Sequence, residues 1–404
     1  MEALQDTFKD TKIGRIPKDW EVTMLSEIGI IKVGRDLNKG IYSSKFNEKY
    51  KVPVYSNAIT DRGLYGFYSR SEYPPNSITI TGRGNIGFAF QRDQEFGAIG
   101  RLIVIQPNSN VDYVFLTNYI NHSVNFHIET SGIPQLTGVQ ASKYKVALPP
   151  LPEQQKIAAI LSTVDEQIST TDKIIEKSKE LKKGLMQKLF SEGIGHTEFK
   201  DTKIGRIPKD WEILKINKVA DCYGGTTPST IVKEYWSGDI LWATPSDITK
   251  NKSEFLLDTN RKITEQGRAS KNLRFVKKNG LLMTSRASIG FLNISNGDVV
   301  TNQGFINIEC KDNFHYKFFY YWVLDNRKKL LSLSQGSTFL ELNRKTFAKI
   351  NIPVPPLPEQ QKIADLLSEA DAKIEKEQSQ KAQLEALKKG LMQQLLTGKK
   401  RVTI

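Results

Sequence analysis

The chain has 404 residues, 39% hydrophobic and 9% aromatic, and 58 Lys/Arg against 44 Asp/Glu give it a formal net charge of +14. That is enough chain for two or three cores in globular proportions, which excludes a disordered protein. No apolar run approaches the ~18 residues of a membrane span, and MEALQDTFKD holds no apolar signal stretch. Four His and two Cys show no zinc-ligand spacing, and Cys222 and Cys310, both in the second half, are expected to be reduced thiols of a cytosolic protein.

The string FKDTKIGRIPKDWE at residues 8–21 returns without a mismatch at residues 199–212, 191 positions on. PPLPEQQKIA at 149–158 returns at 355–364, and LKKGLMQ at 181–187 returns at 387–393, each pair 206 apart. The chain is therefore a tandem duplication of a whole domain plus a helix, with a period far beyond the 20–50 residues of a solenoid. The offset grows by 15 because the middle of the second copy is longer. Identical ends around diverged middles are the pattern of two unlike readers on one frame.

In the first middle, the polar loop 55–65 offers Asn57, Arg62 and Tyr65 without apolar periodicity. Residues 76–90 alternate through Ile78 and Ile80, turn on glycines and resume at Phe88 and Phe90. Residues 100–107 read as a second strand and 111–121 as a helix carrying Phe115, Leu116 and Tyr119. The turn at 82–87 satisfies G-x-G-x-x-G after a strand. A dinucleotide site also needs a following helix and an acidic residue about 20 positions on, whereas this chain continues as strand and Asp112 comes too late. An arginine on such a turn, Arg83, reaches guanine O6/N7 or a phosphate, with Asn85 beside it; a plain surface arginine at a hairpin is the alternative. Gln135, in the loop 132–136, and Lys143 complete the candidates of this half.

From Leu151, with Pro152 and Glu153 in its first turn, a long helix is expected. Ile157, Leu161, Val164 and Ile168 step by four and three, a heptad seam whose phase shifts between Ile175 and Leu181 before resuming at Leu185 and Leu189. The twin runs Ile363, Leu367, Ala370, Ile374, Leu384, Leu387, Leu391 and Leu395. Helices of roughly 35–40 residues would be about 50–60 Å long. The apolar stripe on each needs a partner, which the other copy supplies in an antiparallel pair; packing of each helix on its own domain is the alternative. Gly184 and Gly390 interrupt good helix formers at matching places, at ~1 kcal/mol each relative to Ala, and close helix approach or a kink would account for them.

The second middle echoes the first with strands in 280–295 and 305–310 and an aromatic run at 318–323, mixed α/β segments of antiparallel flavour. Loop 224–230, with Thr226, Thr227 and Ser229, is rich in hydroxyls and backbone N–H groups suited to phosphates. The turn 285–290 keeps Arg286 and Gly290, adds Ser285 and Ser288, and drops two glycines, which removes a nucleotide fold from one of two equivalent domains. Loop 336–342 adds Thr338, and Lys345 follows it. Each loop has a plain turn as its alternative. The helical segments 149–198 and 355–404 together carry 16 Lys/Arg and 15 Asp/Glu, leaving 42 basic against 29 acidic residues elsewhere. The basic surplus thus belongs to the diverged domains, the footprint of a polyphosphate ligand, with solubility as the alternative.

Two variable domains, each closed by PPLPEQQKIA leading into a long helix that contains LKKGLMQ, resemble the DNA specificity subunit of type I restriction–modification systems. GGTTPS, YWSGDILWATPSDI, TSRASIGF, VVTNQGF and GSTFLELNRKTF in the second domain add to the likeness, which covers essentially the whole chain. The resemblance implies an α/β (α+β) fold class with two mixed α/β target recognition domains separated by two long helices forming an antiparallel coiled coil, a pseudo-twofold tandem repeat. Residues 1–148 would be the first recognition domain, 149–198 the first spacer helix, 199–354 the second domain and 355–404 the second spacer helix.

The resemblance further implies a non-catalytic, cytoplasmic subunit of a bacterium or archaeon, with no membrane contact. Each domain would read one half of a bipartite, asymmetric double-stranded DNA target. Ile157, Leu161, Val164, Ile168, Leu185, Ile363, Leu367, Ile374 and Leu391 would line a spacer that sets the gap and docks two DNA adenine methyltransferase subunits, with motor–nuclease restriction subunits joining them. S-adenosylmethionine, ATP and Mg2+ would belong to those partners, and no cofactor or metal to this chain. The absence of N-P-P-[YF] and G-x-x-x-x-G-K-[ST] strings fits a reader whose chemistry is supplied in trans. A non-enzymatic coiled-coil scaffold and a self-contained DNA-modifying enzyme remain the alternatives.

Overall fold

The computed structural model describes residues 7–127, 134–335 and 340–403. Four helices carry the architecture: α1 (Tyr113–Ser123), α2 (Leu151–Glu192), α3 (Tyr316–Asp325) and α4 (Leu357–Leu395). With 42 and 39 residues, α2 and α4 are each about 60 Å long. The chain forms two compact units, Met1–Lys173 with Gln378–Ile404, and Ile174–Glu377, so the division falls inside both long helices and not at the domain ends.

In the first unit a hairpin, Phe8–Thr11 with Gly14–Pro17, turns on Gly14 at φ +111°, which only glycine adopts freely. The next strand, Glu21–Met24, pairs antiparallel with Lys145–Leu148, so the chain enters and leaves the domain side by side. Between them lie two four-stranded sheets. One is antiparallel in the order Gly29–Val33, Ile103–Pro107, Ser77–Ile80, Ala89–Arg92. The other runs Gly97–Ala98, Val52–Tyr55, Leu64–Tyr68, Tyr42–Ser43, with its first pair parallel. Asp112 caps α1 by accepting from the Phe115 N–H at 2.8 Å, and α1 buries Phe115, Leu116 and Ile120 in a core with Ile78, Ile80, Ile103 and Ile105.

The second unit repeats the plan. The hairpin Phe199–Thr202 with Gly205–Pro208 precedes Glu212–Lys215, which pairs with Asn351–Val354. A five-stranded sheet runs Ala220–Tyr223, Phe305–Cys310, Leu281–Thr284, Leu292–Ser295, Phe255–Leu256, beside a three-stranded one of Lys262–Ile263, Trp236–Ala243 and Val299–Thr301. The aromatic run is α3, whose Phe318, Phe319, Tyr321 and Trp322 are buried. Cys222 and Cys310 are free thiols; burial pushes Cys222 up to about 12 and raises Cys310 as well, so neither is a thiolate at neutral pH. Among the described residues no helix is long and apolar enough to cross a membrane.

The repeated strings sit where each long helix meets a domain. Buried Trp20 donates its indole N–H to Glu153 at 3.2 Å, and Trp211 donates to Glu359 at 2.9 Å. A buried carboxylate needs more than one partner. Arg401 supplies two bonds of 2.7 Å to Glu153, while the Ile194 N–H and His196 Nε2 each lie 2.9 Å from Glu359. The next residue bridges helix and domain: Gln154 accepts from the Asp112 N–H at 2.9 Å and donates to Pro149 O, as Gln360 accepts from the His315 N–H at 2.8 Å and donates to Pro355 O.

Within each unit the helix segments run antiparallel, as expected. Lys388 and Lys381 reach Asp165 and Asp172 at 2.6 and 2.7 Å in the first unit, and Lys182 reaches Asp371 at 2.5 Å in the second. Ile157, Leu161, Val164, Ile363, Leu367 and Ile374 are buried, and Ile168, Leu185 and Leu391 half-buried. The start of α2 packs in the first-domain core with Trp20 and Phe115, but its Leu189 and Phe190 belong to the second-domain core with Trp211 and Phe318. Packing on its own domain therefore describes only the first turns.

Two expectations about the helices are corrected. Leu181 and Leu387 are exposed, at 73% and 51%, and the seam does not change phase. It continues in heptad steps through Ile175, Ser178, Lys182 and Leu185, and through Ile374, Glu377, Lys381, Leu384 and Lys388, all buried or half-buried. Polar residues occupy seam positions, and three of them, Lys182, Lys381 and Lys388, answer an acid across the pair, which fixes register and direction. The second correction concerns Gly184 and Gly390: a Cβ at either would meet nothing within 4 Å, so close helix approach inside this chain does not explain them.

Candidate nucleic-acid interface

In the first domain three Gly-Arg dipeptides, 34–35, 82–83 and 100–101, are tied together through their backbones. Gly100 N–H donates to Arg35 O at 3.0 Å, and Arg101 N–H to Gly34 O at 3.2 Å. Asn57 joins the third: its Oδ1 accepts from the N–H groups of Gly82 and Arg83 at 2.7 and 3.3 Å, and its Nδ2 donates to Gly100 O at 2.6 Å. A Cβ at Gly34 would stand 2.8 Å from the Ala98 carbonyl, and one at Gly82 2.7 Å from Leu136 O, so the loops approach this closely only on glycine. The arginine that follows each glycine is exposed. Asn57 thus positions the cluster, and Arg83 faces Gln135 across a backbone bridge, its Nη2 3.4 Å from the amide oxygen.

Arg62 stands on a loop where Asp61 and Arg62 both hold left-handed backbone, φ +49° and +50°, and its Nη2 donates to Gln91 O at 2.6 Å. Arg92 holds the loop from beneath, donating to Arg62 O at 2.8 Å and to Thr79 at 2.9 Å, with its guanidinium 3.4 Å from the Tyr55 ring centroid. Burial pushes Arg92 down to about 10, still a cation at neutral pH. Tyr65 is exposed, its ring 5.8 Å from that of Tyr42, and Asn85 is exposed with its carbonyl taking the Thr81 hydroxyl. Lys143 lies apart: its neighbours Ser142 and Tyr144 accept from Ser26 and Leu25, beside the strand that enters the domain. The glycine turn joins two antiparallel strands with no helix after it, as expected.

In the second domain the equivalent turn is fixed by Ser285 N–H to Gly304 O at 2.8 Å and Leu342 N–H to Ser285 O at 2.9 Å. Ser285 itself is 2% exposed, so its hydroxyl lies inside the fold and does not reach a ligand on the surface. Arg286 Nε lies 3.0 Å from Glu341 across a backbone bridge like that of Arg83 and Gln135. Thr227 donates its hydroxyl to Gln303 at 2.6 Å; Thr226 N–H donates to Thr301 O at 2.9 Å, and Ser229 O accepts from the Trp236 indole at 3.0 Å. The Ser288 carbonyl takes the Thr284 hydroxyl. Lys345 sits on the short helix Arg344–Ala348, which leads into the strand that leaves the domain. Thr338 lies outside the described residues.

Sequence reasoning missed Arg35, Arg101, Gln303 and Glu341. The recurring Gly-Arg dipeptide was a signal for the first two, and the 206-residue offset that carries Gln135 to 341 was a signal for the last. The two loop clusters differ in chemistry. The first presents the cations Arg35, Arg83 and Arg101, whereas the second presents hydroxyls, an amide and one arginine countered by a carboxylate. Such groups hydrogen-bond phosphates and base edges. Among the described residues no group of His, Cys, Asp and Glu could hold a metal ion.

The family profile described as the type I restriction modification DNA specificity domain matches twice, at residues 17–180 and 208–386. The type I restriction enzyme MjaIX specificity subunit of Methanocaldococcus jannaschii is 43% identical over 193 residues, which span 47% of this chain and 45% of that protein. The putative type I restriction enzyme MjaX specificity subunit of the same organism is 29% identical over a 435-residue alignment covering 98% of this chain and 97% of the relative. The S subunit of a type I restriction–modification system from M. genitalium, a solved structure, shares the fold with a TM-score of 0.60 at 15% identity, covering 93% of this chain and 96% of that one. With the profile matched across both halves, the chain belongs to the type I restriction–modification DNA specificity family.

Proposed function

We propose that each domain of this specificity subunit reads one half of a bipartite, asymmetric double-stranded DNA target through its loop cluster, and that α2 and α4 set the unread gap and dock two DNA adenine methyltransferase subunits. Motor–nuclease subunits join that assembly for restriction. S-adenosylmethionine, ATP and Mg2+ are used by the partners, and this chain contributes no catalytic group. The observation that carries the reading is the pair of equivalent loop clusters: one backbone frame, tied at matching positions, presents different side chains in the two domains. A scaffold with protein-binding ends has no need for two such unlike polar surfaces on a shared frame.

In this mechanism the arginines and backbone N–H groups neutralise phosphates and set register, and a few side chains read base edges. Because Glu21–Met24 pairs with Lys145–Leu148, residues 22–148 form a cassette whose ends meet on one ladder. Exchange of that cassette for a relative's changes one half-site and leaves the other. The direct test is co-expression with a DNA adenine methyltransferase of the family and mapping of methylated adenines. A two-part motif with a constant gap is expected; methylation without such a motif, or by this chain alone, overturns the reading.

A further inference from the structure

Residues 135 and 341 occupy the same place in the two repeats, 206 positions apart, each bridged through the backbone to the turn arginine of its domain. The chemistry at that place differs. Gln135 is neutral and exposed and takes a long 3.4 Å bond from Arg83; among the described residues no carboxylate pairs with that guanidinium and nothing accepts from the Gln135 amide NH2. Glu341 is an anion held 3.0 Å from Arg286, and both side chains are about half exposed. We propose, resting on the DNA-reading assignment above, that position 135/341 is the discriminating contact of each domain. Glu341 accepts from the exocyclic amino group of a cytosine or adenine in the second half-site, and Gln135 with Arg83 reads a purine edge in the first.

Three observations support this. The Glu341 backbone is fixed by two bonds to one residue, its N–H donating to Gln335 O at 2.9 Å and its carbonyl accepting from Gln335 N–H at 3.0 Å. The next residue, Leu342, is 1% exposed and anchors it, so only side-chain torsions remain free. A bare carboxylate near phosphates would be repelled, and Arg286 removes that penalty while leaving acceptor positions on the carboxylate open. Finally, Ala287, next to Arg286, holds left-handed backbone at φ +56° where the first domain has Gly84 at +67°, so the turn keeps its shape even where a side chain strains it. The pairing rules then apply: a carboxylate takes an amino donor, while glutamine pairs bidentately with adenine and arginine with guanine.

The test reads methylation motifs from the co-expressed complex carrying Glu341→Gln or, separately, Gln135→Glu. Glu341→Gln is expected to relax one base pair of the second half-site by about 5- to 150-fold in relative methylation, with the first half-site unchanged. Gln135→Glu is expected to shift one base pair of the first half-site toward a base with an amino donor, again without effect on the other half. Gln135 is exposed, so this variant decides the matter even if Glu341→Gln proves unstable. Motifs identical to wild type in both half-sites overturn the proposal, as does a uniform loss over all sequences, which marks a purely electrostatic contact. Absence of any two-part motif in the wild-type complex strikes the underlying DNA-reading assignment instead.

Discussion

The ammonium of Lys182 lies 2.5 Å from the carboxylate of Asp371 in the second unit, and the same two repeat positions, with the copies exchanged, form Lys388–Asp165 at 2.6 Å in the first. Each pair joins LKKGLMQ of one copy to the acid 206 positions from its counterpart. An antiparallel pair of repeated helices makes this exchange unavoidable wherever both copies keep the residues; Lys381–Asp172 has no twin, because its counterparts are Ile175 and Gln378. Exact identity of LKKGLMQ follows, because one string must serve both contacts.

The two pairs are not equal in surroundings. Asp371 also accepts from the Tyr321 hydroxyl at 2.9 Å, whereas Asn118, at the matching place in α1, gives its amide to Val114 O. Half-exposed ion pairs contribute ~0.2–1 kcal/mol, and the tyrosine bond adds about 1 kcal/mol. Asp371→Asn is therefore expected to destabilise by about 1–2 kcal/mol, and Asp165→Asn by a few tenths. Denaturant unfolding of the two variants checks this, and equal losses would contradict the assigned role of Tyr321.

Arg401 offers a sharper case. Glu153 is 1% exposed and holds two bonds from Arg401, which also reaches Asp19 at 2.6 and 2.8 Å. Arg401→Met leaves a buried carboxylate with Trp20 alone, a loss of ~3–5 kcal/mol. The acid limb moves too. The hydrogen bond from Arg401 holds the Asp19 carboxyl below its ordinary value, so that stabilisation is present at neutral pH and is lost only as pH falls through the lowered value. Without Arg401 it is absent, and acid unfolding begins at higher pH. Thermal melts from pH 3 to 7 read both effects, and an unshifted acid limb argues against the Asp19 contribution.

Gly184 and Gly390 give the opposite sign. Neither has any neighbour that a methyl group would meet, and neither needs a left-handed backbone. Gly184→Ala and Gly390→Ala are each expected to stabilise the free chain by ~1 kcal/mol. A higher denaturant midpoint in both variants is the readout; destabilisation would mean that the helix bends at these points in solution.

How far the sequence reached depends on which kind of order a feature has. The duplication and the helices were legible because long exact strings and heptad spacing are local. Leu181 and Leu387 misled because an apolar-only reading passes over Ser178, which is half-buried at its seam position, and Lys182, which holds the seam by ion pairing rather than by burial of carbon. The loop clusters were half legible. Arg83, Arg286 and Gln135 stand out as residues, but the convergence of the 34–35, 82–83 and 100–101 dipeptides depends on long-range bonds that no local pattern records, backbone to backbone between the first and last and through the Asn57 side-chain amide to the middle one. Ser285 was misjudged for the same reason, since only the strand and loop packed over it make it interior.

The seam also bears on the gap between half-sites. Inserting seven residues, one heptad, after Ile175 in α2 and after Glu377 in α4 keeps every seam position in phase. Each helix lengthens by about 10.5 Å at 1.5 Å per residue, close to three base pairs at ~3.4 Å each. The methylated motif is expected to keep both half-sites while its gap grows by about three base pairs. Three base pairs also turn the duplex by roughly 100°, since one turn takes ~10.5 base pairs. A heptad adds little rotation of its own, so the DNA must untwist or bend and affinity falls while specificity stays. Insertion of four residues instead breaks the seam and unwinds it locally, and should cost stability before it alters the motif. If methylome sequencing of the heptad variant returns the original gap, the helices do not set it, and the spacing must come from the domains.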